Sequence, residues 1–202
     1  TLAEQITSVL LIKLFISLII SWLKNALNVL IFFWLAKFAI VWDGKTEKLY
    51  GLNASGRSPK KLTLDYFEEQ GLEKIPSHGP LPVSVPGALD GWFELHEKFG
   101  SKPMSEILAP AIDYAQNGFP LTELIAWYMH RTVPFFDSKG FPNIKDTYIT
   151  QNGGKLPNEG EVYKNIYLAN TYKKIAEGGR DVFYKGEIAK AIGKFIKDQG
   201  GF

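Results

Sequence analysis

The sequence predicts an α+β fold: a small antiparallel sheet near its start, followed by a mostly helical remainder. Three observations lead there. Apolar alternation with a period of two is confined to residues 38–54, whereas from Gly87 onward apolar residues recur at helical spacing in successive stretches, most of them closed by glycine. At 202 residues and 46% hydrophobic content the chain is long and apolar enough to bury a core and does not read as disordered.

Residues 6–36 come first and stand apart, being far more apolar than the rest. Lys13, Ser17, Ser21, Lys24 and Asn28 interrupt them at intervals of four, four, three and four, which places the interruptions in one stripe of a helix. The uncharged runs Leu14 to Leu23 and Asn25 to Ala36 are each short of the roughly 20 apolar residues a membrane span needs. A tilted anchor containing Lys24 would carry a cost of about 2.5–3.5 kcal/mol for that lysine near the bilayer centre. Residues 1–37 are therefore set apart as an apolar helical segment. An anchor, a signal peptide and a stretch foreign to the fold all stay open, and with them the compartment.

From residue 38 the pattern becomes that of a strand, with Phe38, Ile40 and Trp42 on one face and Ala39 and Val41 on the other. Asp43-Gly44 supplies a hairpin turn into a second strand over Lys48 to Ala54. Thr63 caps a short helix ending at Gly71, and Pro80 to Pro86 is extended because residues before proline avoid the helical region. Helices follow from Gly87 to Gly100, from a Ser105 cap to Gly118, and from Leu121 to Thr132, the last ended by Pro134. Asp137 to Glu161 reads as a surface excursion with a turn at Gln151-Asn-Gly-Gly154. Two helices close the chain, Val162 to Glu177 and Glu187 to Gln199. No composition shift marks a second boundary, so 38–202 reads as one domain.

Composition excludes several functions. A net charge of +2 with scattered lysines gives no basic field for nucleic acid, and the absence of cysteine removes thiolate chemistry and zinc-thiolate sites. His78, His96 and His130 are too far apart for a local metal motif, so no metal or cofactor is expected. Gly44-Lys-Thr46 has only the tail of a phosphate loop and reads as the hairpin. Ser58-Pro-Lys-Lys61 has a Ser-x-x-Lys spacing, but Pro59 opposes the helix that would align the pair. Asp90, Glu94 and Glu97 share a helical face, more consistent with a solvated side than an acid/base pair. Asn53-Ala-Ser55 is a glycosylation sequon in form only, since Asn53 lies in a strand.

Arg57 is different because Ser55-Gly56 and Pro59 break the second strand and leave it at a strand exit. A guanidinium fixed there can grip a carboxylate with two parallel hydrogen bonds, a geometry lysine lacks. Taken alone, such an arginine reads more readily as a surface ion-pair partner, since most surface charges merely solvate.

Three stretches carry a resemblance. Phe38 to Pro59, with Leu52-Asn-Ala-Ser-Gly-Arg57-Ser-Pro59 at its end, Pro80-Leu-Pro-Val-Ser-Val-Pro-Gly-Ala-Leu-Asp-Gly-Trp-Phe-Glu-Leu-His96, and Ile107-Leu-Ala-Pro-Ala-Ile-Asp-Tyr-Ala-Gln-Asn-Gly-Phe-Pro120 together resemble the large subunit of the gamma-glutamyltranspeptidases. The resemblance implies a piece of an αββα N-terminal-nucleophile hydrolase sandwich: a helical outer layer and part of a sheet, from a precursor that cleaves itself to expose a catalytic threonine. That threonine belongs downstream in a small-subunit portion, the implied partner, so no catalytic residue is expected here and the chain alone should be inactive. The implied substrate is a gamma-glutamyl compound such as glutathione, whose α-carboxylate Arg57 would bind. Two departures stand out. Ser58 follows Arg57 where many relatives have Glu, which leaves related acylases open, and no glycine precedes Gly44, so the family's glycine-rich approach is missing. The rivals are a membrane-anchored module acting through residues 6–36 and a small hydrolase using Ser58 and Lys61.

Overall fold

The computed structural model describes residues 29–34 and 38–202, which fall into two compact units: residues 38–101 with 29–34 and 178–202, and residues 102–177. The first unit begins with a three-stranded antiparallel sheet of β1 (Val29–Trp34), β2 (Phe38–Asp43) and β3 (Lys48–Asn53), in that order. β1 is a correction, since the apolar stripe predicts helix across it. Its Val-Leu-Ile-Phe-Phe-Trp run is β-branched and aromatic, which suits a pleated surface, and it pairs with β2 from Val29 opposite Asp43 to Trp34 opposite Phe38. The rest of the apolar segment, residues 1–28 and 35–37, lies outside the described residues. Among the described residues no helix is long and apolar enough to cross a membrane.

The β2–β3 hairpin closes as the sequence predicts. Asp43 lies opposite Lys48, and its carboxylate accepts from the Lys45 amide at 3.0 Å and the Thr46 hydroxyl at 2.7 Å, which ties the four-residue turn. Ala39 and Val41 are buried while Phe38, Ile40 and Trp42 are exposed. Helix α1 (Leu64–Glu69) starts on Thr63, whose hydroxyl accepts from the Tyr66 amide at 3.3 Å. Pro80 to Pro86 is not uniformly extended, because a turn closes from Val83 N–H to the Pro80 carbonyl. Helix α2 (Ala88–Phe99) buries Leu89 and Phe93, and Phe99 meets Tyr50 of β3 edge to face at 5.4 Å.

The second unit packs around Met129, Val133 and Tyr163, all fully buried. Helix α3 (Met104–Asn117) starts one residue before the expected cap: Pro103 occupies the N-cap and its carbonyl accepts from Glu106 and Ile107, leaving Ser105 in the first turn. A two-stranded ribbon pairs β4 (Phe119–Pro120) with β5 (Val162–Tyr163), between which lie helix α4 (Glu123–Ser138), helix α5 (Ile144–Tyr148) and a 3-10 turn at Thr150–Asn152. α4 runs through Pro134 instead of ending there. Val133 is buried beside the proline and Phe136 packs on the same core and on Phe141 at 5.1 Å, which offsets a proline penalty of about 3 kcal/mol.

The helix expected from Val162 starts later, as α6 (Ile166–Tyr184). Asn165 delays it by accepting the Leu168 amide on its side chain at 2.9 Å and the Ala169 amide on its carbonyl. The expected stop at Gly178-Gly179 is an interruption: Gly179 takes φ 67° and ψ −159°, a left-handed conformation that breaks the ladder, and helical residues resume up to Tyr184 in the first unit. Helix α7 (Glu187–Asp198) follows as predicted.

Candidate functional site

The two runs that carry most of the sequence information lie against each other in the first unit. After β3 the chain turns on Asn53, the last residue of the strand, whose side-chain oxygen accepts the Ser55 amide at 2.9 Å. Residues 54–57 then run along 84–91, joined by a hydrogen bond from the Val85 amide to the Arg57 carbonyl at 2.9 Å. Glycine makes the approach possible. A methyl on Gly87 would stand 2.5 Å from the Ala54 carbonyl oxygen and 2.9 Å from the Gly56 nitrogen, and one on Gly56 would overlap the Val85 carbonyl. Both glycines have negative φ, so closeness and not dihedral freedom is what requires them.

Arg57 leaves this contact with an exposed side chain that has no hydrogen-bond or ion-pair partner among the described residues. Its backbone is held while its guanidinium stays available, as a carboxylate-binding group requires. Beneath the same hairpin a cleft of about 190 Å³ opens between β2, β3 and α2, lined by Val41, Tyr50, Leu52, Leu95 and Phe99, with the Lys98 ammonium 3.7 Å from the Tyr50 ring centre. Arg57 does not line it.

The far end of α6 grips the other side of the glycine-bearing run. The Tyr184 hydroxyl donates to the Pro86 carbonyl at 2.6 Å and accepts from the Asp90 amide at 3.0 Å. Arg180 pairs with Asp90 at 3.2 Å, Glu94 at 3.1 Å and Glu97 at 3.5 Å. The acidic face of α2 is thus gathered by one cation and is neither an acid/base pair nor merely solvated. Desolvation, the largest influence on Tyr184, raises its pKa. Sequence reasoning missed both residues: a glycine at the start of α2 offers no capping oxygen and so signals an unmet amide there, but not which distant residue meets it.

The other candidates disperse. Ser58 and Lys61 lie on non-helical backbone with no hydrogen bond between them. Ser77 and His78 are within 2.9 Å but are exposed neighbours on a loop, and His130 meets the Pro157 carbonyl at 3.2 Å in the second unit. Among the described residues no group of carboxylates and histidines could hold a metal ion.

Residues 36–202 match the family model described as gamma-glutamyltranspeptidase. The chain is 33% identical over 161 residues to the glutathione hydrolase-like YwrD proenzyme of Bacillus subtilis, covering 79% of this chain and 29% of that protein. It is 34% identical over 162 residues to the glutathione hydrolase proenzyme of Pseudomonas aeruginosa, covering 78% and 27%. Among solved structures it is similar to a cephalosporin acylase from Bacillus halodurans, with a TM-score of 0.74 and 37% identity over 82% of this chain and 31% of that one. It is also similar to the Helicobacter pylori gamma-glutamyltranspeptidase, with a TM-score of 0.73 and 27% identity over 82% and 47%. The chain spans less than a third of the length of these two curated relatives.

Proposed function

The chain belongs to the gamma-glutamyltranspeptidase family, and from that membership we propose that residues 38–202 supply the glutamyl-binding part of an enzyme that hydrolyses or transfers gamma-glutamyl groups, with glutathione as the model donor. The observation that carries this reading is Arg57: a guanidinium without a partner among the described residues, on a backbone held between two glycine-bearing runs. Two parallel N–H donors grip the donor's α-carboxylate and set the position of its gamma-amide relative to the nucleophile. No metal or cofactor takes part in this reading.

The nucleophile comes from a threonine-bearing small-subunit region, and these residues alone bind without turning over. The exposed face of Phe38, Ile40, Trp42 and Leu49 supports a second layer packing on the sheet, since so many large apolar side chains on one small face are an interaction surface. A related acylase activity is the second reading, favoured by Ser58 beside Arg57 and by the similarity to the cephalosporin acylase. The test is a chimaera in which residues 38–202 replace the matching stretch of the Pseudomonas aeruginosa glutathione hydrolase proenzyme. It should release product from a gamma-glutamyl anilide while the 202-residue chain releases none; turnover by the chain alone, abolished in Ser58→Ala, would favour the small-hydrolase rival.

A further inference from the structure

We propose that Tyr184 is a positioning residue for Arg57, its hydroxyl serving as the missing cap of α2 and thereby fixing the run on which the Arg57 backbone rests. The significance of this role rests on the carboxylate-binding reading of Arg57, although its geometry does not.

A helix leaves its first amides without intrahelical partners, and the usual remedy is an oxygen on the N-cap side chain. In α2 that position is Gly87, which has no side chain to offer. It cannot have one, because any Cβ would collide with the Ala54 carbonyl and the Gly56 nitrogen in the segment that carries Arg57. The close approach that places Arg57 therefore removes the cap from the helix beside it. Tyr184 restores it from the end of α6, accepting the Asp90 amide while donating to the Pro86 carbonyl on the other side of Gly87. One hydroxyl bridges the glycine from both sides. Pro86 follows Val85, whose amide holds the Arg57 carbonyl, so the chain of contacts from Tyr184 to Arg57 passes through Pro86 and Val85. Arg180, four residues earlier, pairs with Asp90, Glu94 and Glu97 and keeps that end of α6 against α2.

The test is Tyr184→Phe in the full 202-residue chain, which keeps the ring and deletes both hydrogen bonds. Amide hydrogen exchange is read at Val85, whose amide bonds to Arg57 and not to Tyr184, and at Val41 and Phe93, which report the sheet and the middle of α2 in the same unit. Exchange at Val85 should accelerate at least fivefold while Val41 and Phe93 change less than twofold. An unchanged Val85 overturns the proposal, and so does a rise at all three sites together, since that would make Tyr184 a contributor to global stability only. Should Tyr184→Phe fold poorly, Arg180→Met loosens the same end of α6 without altering the hydroxyl: Val85 accelerating ahead of Val41 supports the relay, and parallel acceleration overturns it. Arg57→Lys should leave exchange at Val85 untouched. A failure of Arg57 to bind carboxylate would therefore count against the proposed function and not against the positioning.

Discussion

Replacing Gly87 with alanine probes the contact on which the site depends. With the backbone held, the new methyl would lie 2.5 Å from the Ala54 carbonyl oxygen, 2.9 Å from the Gly56 nitrogen and 3.0 Å from the Ser55 carbonyl carbon. All three are backbone atoms, so no side chain can swing aside, and the two runs must separate by roughly 1 Å to reach ordinary contact. Overpacking of this kind costs about 1–3 kcal/mol. The same movement stretches the 2.9 Å bond from Val85 to Arg57 beyond hydrogen-bond range, adding about 0.5–1.5 kcal/mol. Gly87→Ala should therefore destabilise the first unit by about 1.5–4.5 kcal/mol. Gly51→Ala is the control: Gly51 has open space around its Cβ direction and a negative φ, so alanine should be neutral or stabilise by up to about 1 kcal/mol through the unfolded chain. Urea unfolding, with exchange at Val41 and Phe93 reporting the first unit, measures both. Equal effects from the two substitutions, or a Gly87→Ala cost below about 0.5 kcal/mol, would refute the steric argument.

Met129→Ala should destabilise the second unit by about 2–5 kcal/mol, because the side chain is fully buried in its core and truncation leaves a cavity; unfolding followed at Trp127 checks it. The Glu161 carboxylate should titrate below the ordinary range, chiefly because the Lys155 ammonium hydrogen-bonds to it at 2.8 Å and secondly because the Asn158 amide does. Its folded value is depressed, so its contribution to stability is present above the unfolded carboxylate pKa and is lost as pH falls through the folded one. In Lys155→Ala the carboxyl resonance of Glu161 should titrate closer to the ordinary value, and an unchanged titration would leave Lys155 without that role.

Much of the first unit was legible because its signals are local. The period-two run in β2, the Asp43-Gly44 turn, the Thr63 cap and the Gly87 and Gly100 limits of α2 each lie within a few residues of what they determine. The failures involve distant partners. β5 forms because Phe119 and Pro120 are available to pair with it, and α4 survives Pro134 because Phe136 has a core to enter; neither partner shows in a local pattern. β1 departs from the helical expectation for another reason: in a continuous apolar run the upstream stripe of polar interruptions has helical spacing, while its own content is β-branched and aromatic. For the candidate site, the sequence pointed to both runs and proposed Arg57, but Tyr184 is 98 residues from Pro86 and no pattern links them.

Arg57→Lys in the glutathione hydrolase chimaera tests the central claim most directly, through the Michaelis constant for a gamma-glutamyl donor measured alongside self-cleavage of the precursor. Lysine keeps the charge and loses the fork. Removing one of two charged hydrogen bonds, each of about 1.5–3 kcal/mol, should raise the Michaelis constant by roughly 10- to 150-fold. Self-cleavage involves no donor carboxylate and should continue at the parent rate. An unchanged Michaelis constant with normal processing would contradict the account and leave Arg57 an ordinary surface charge.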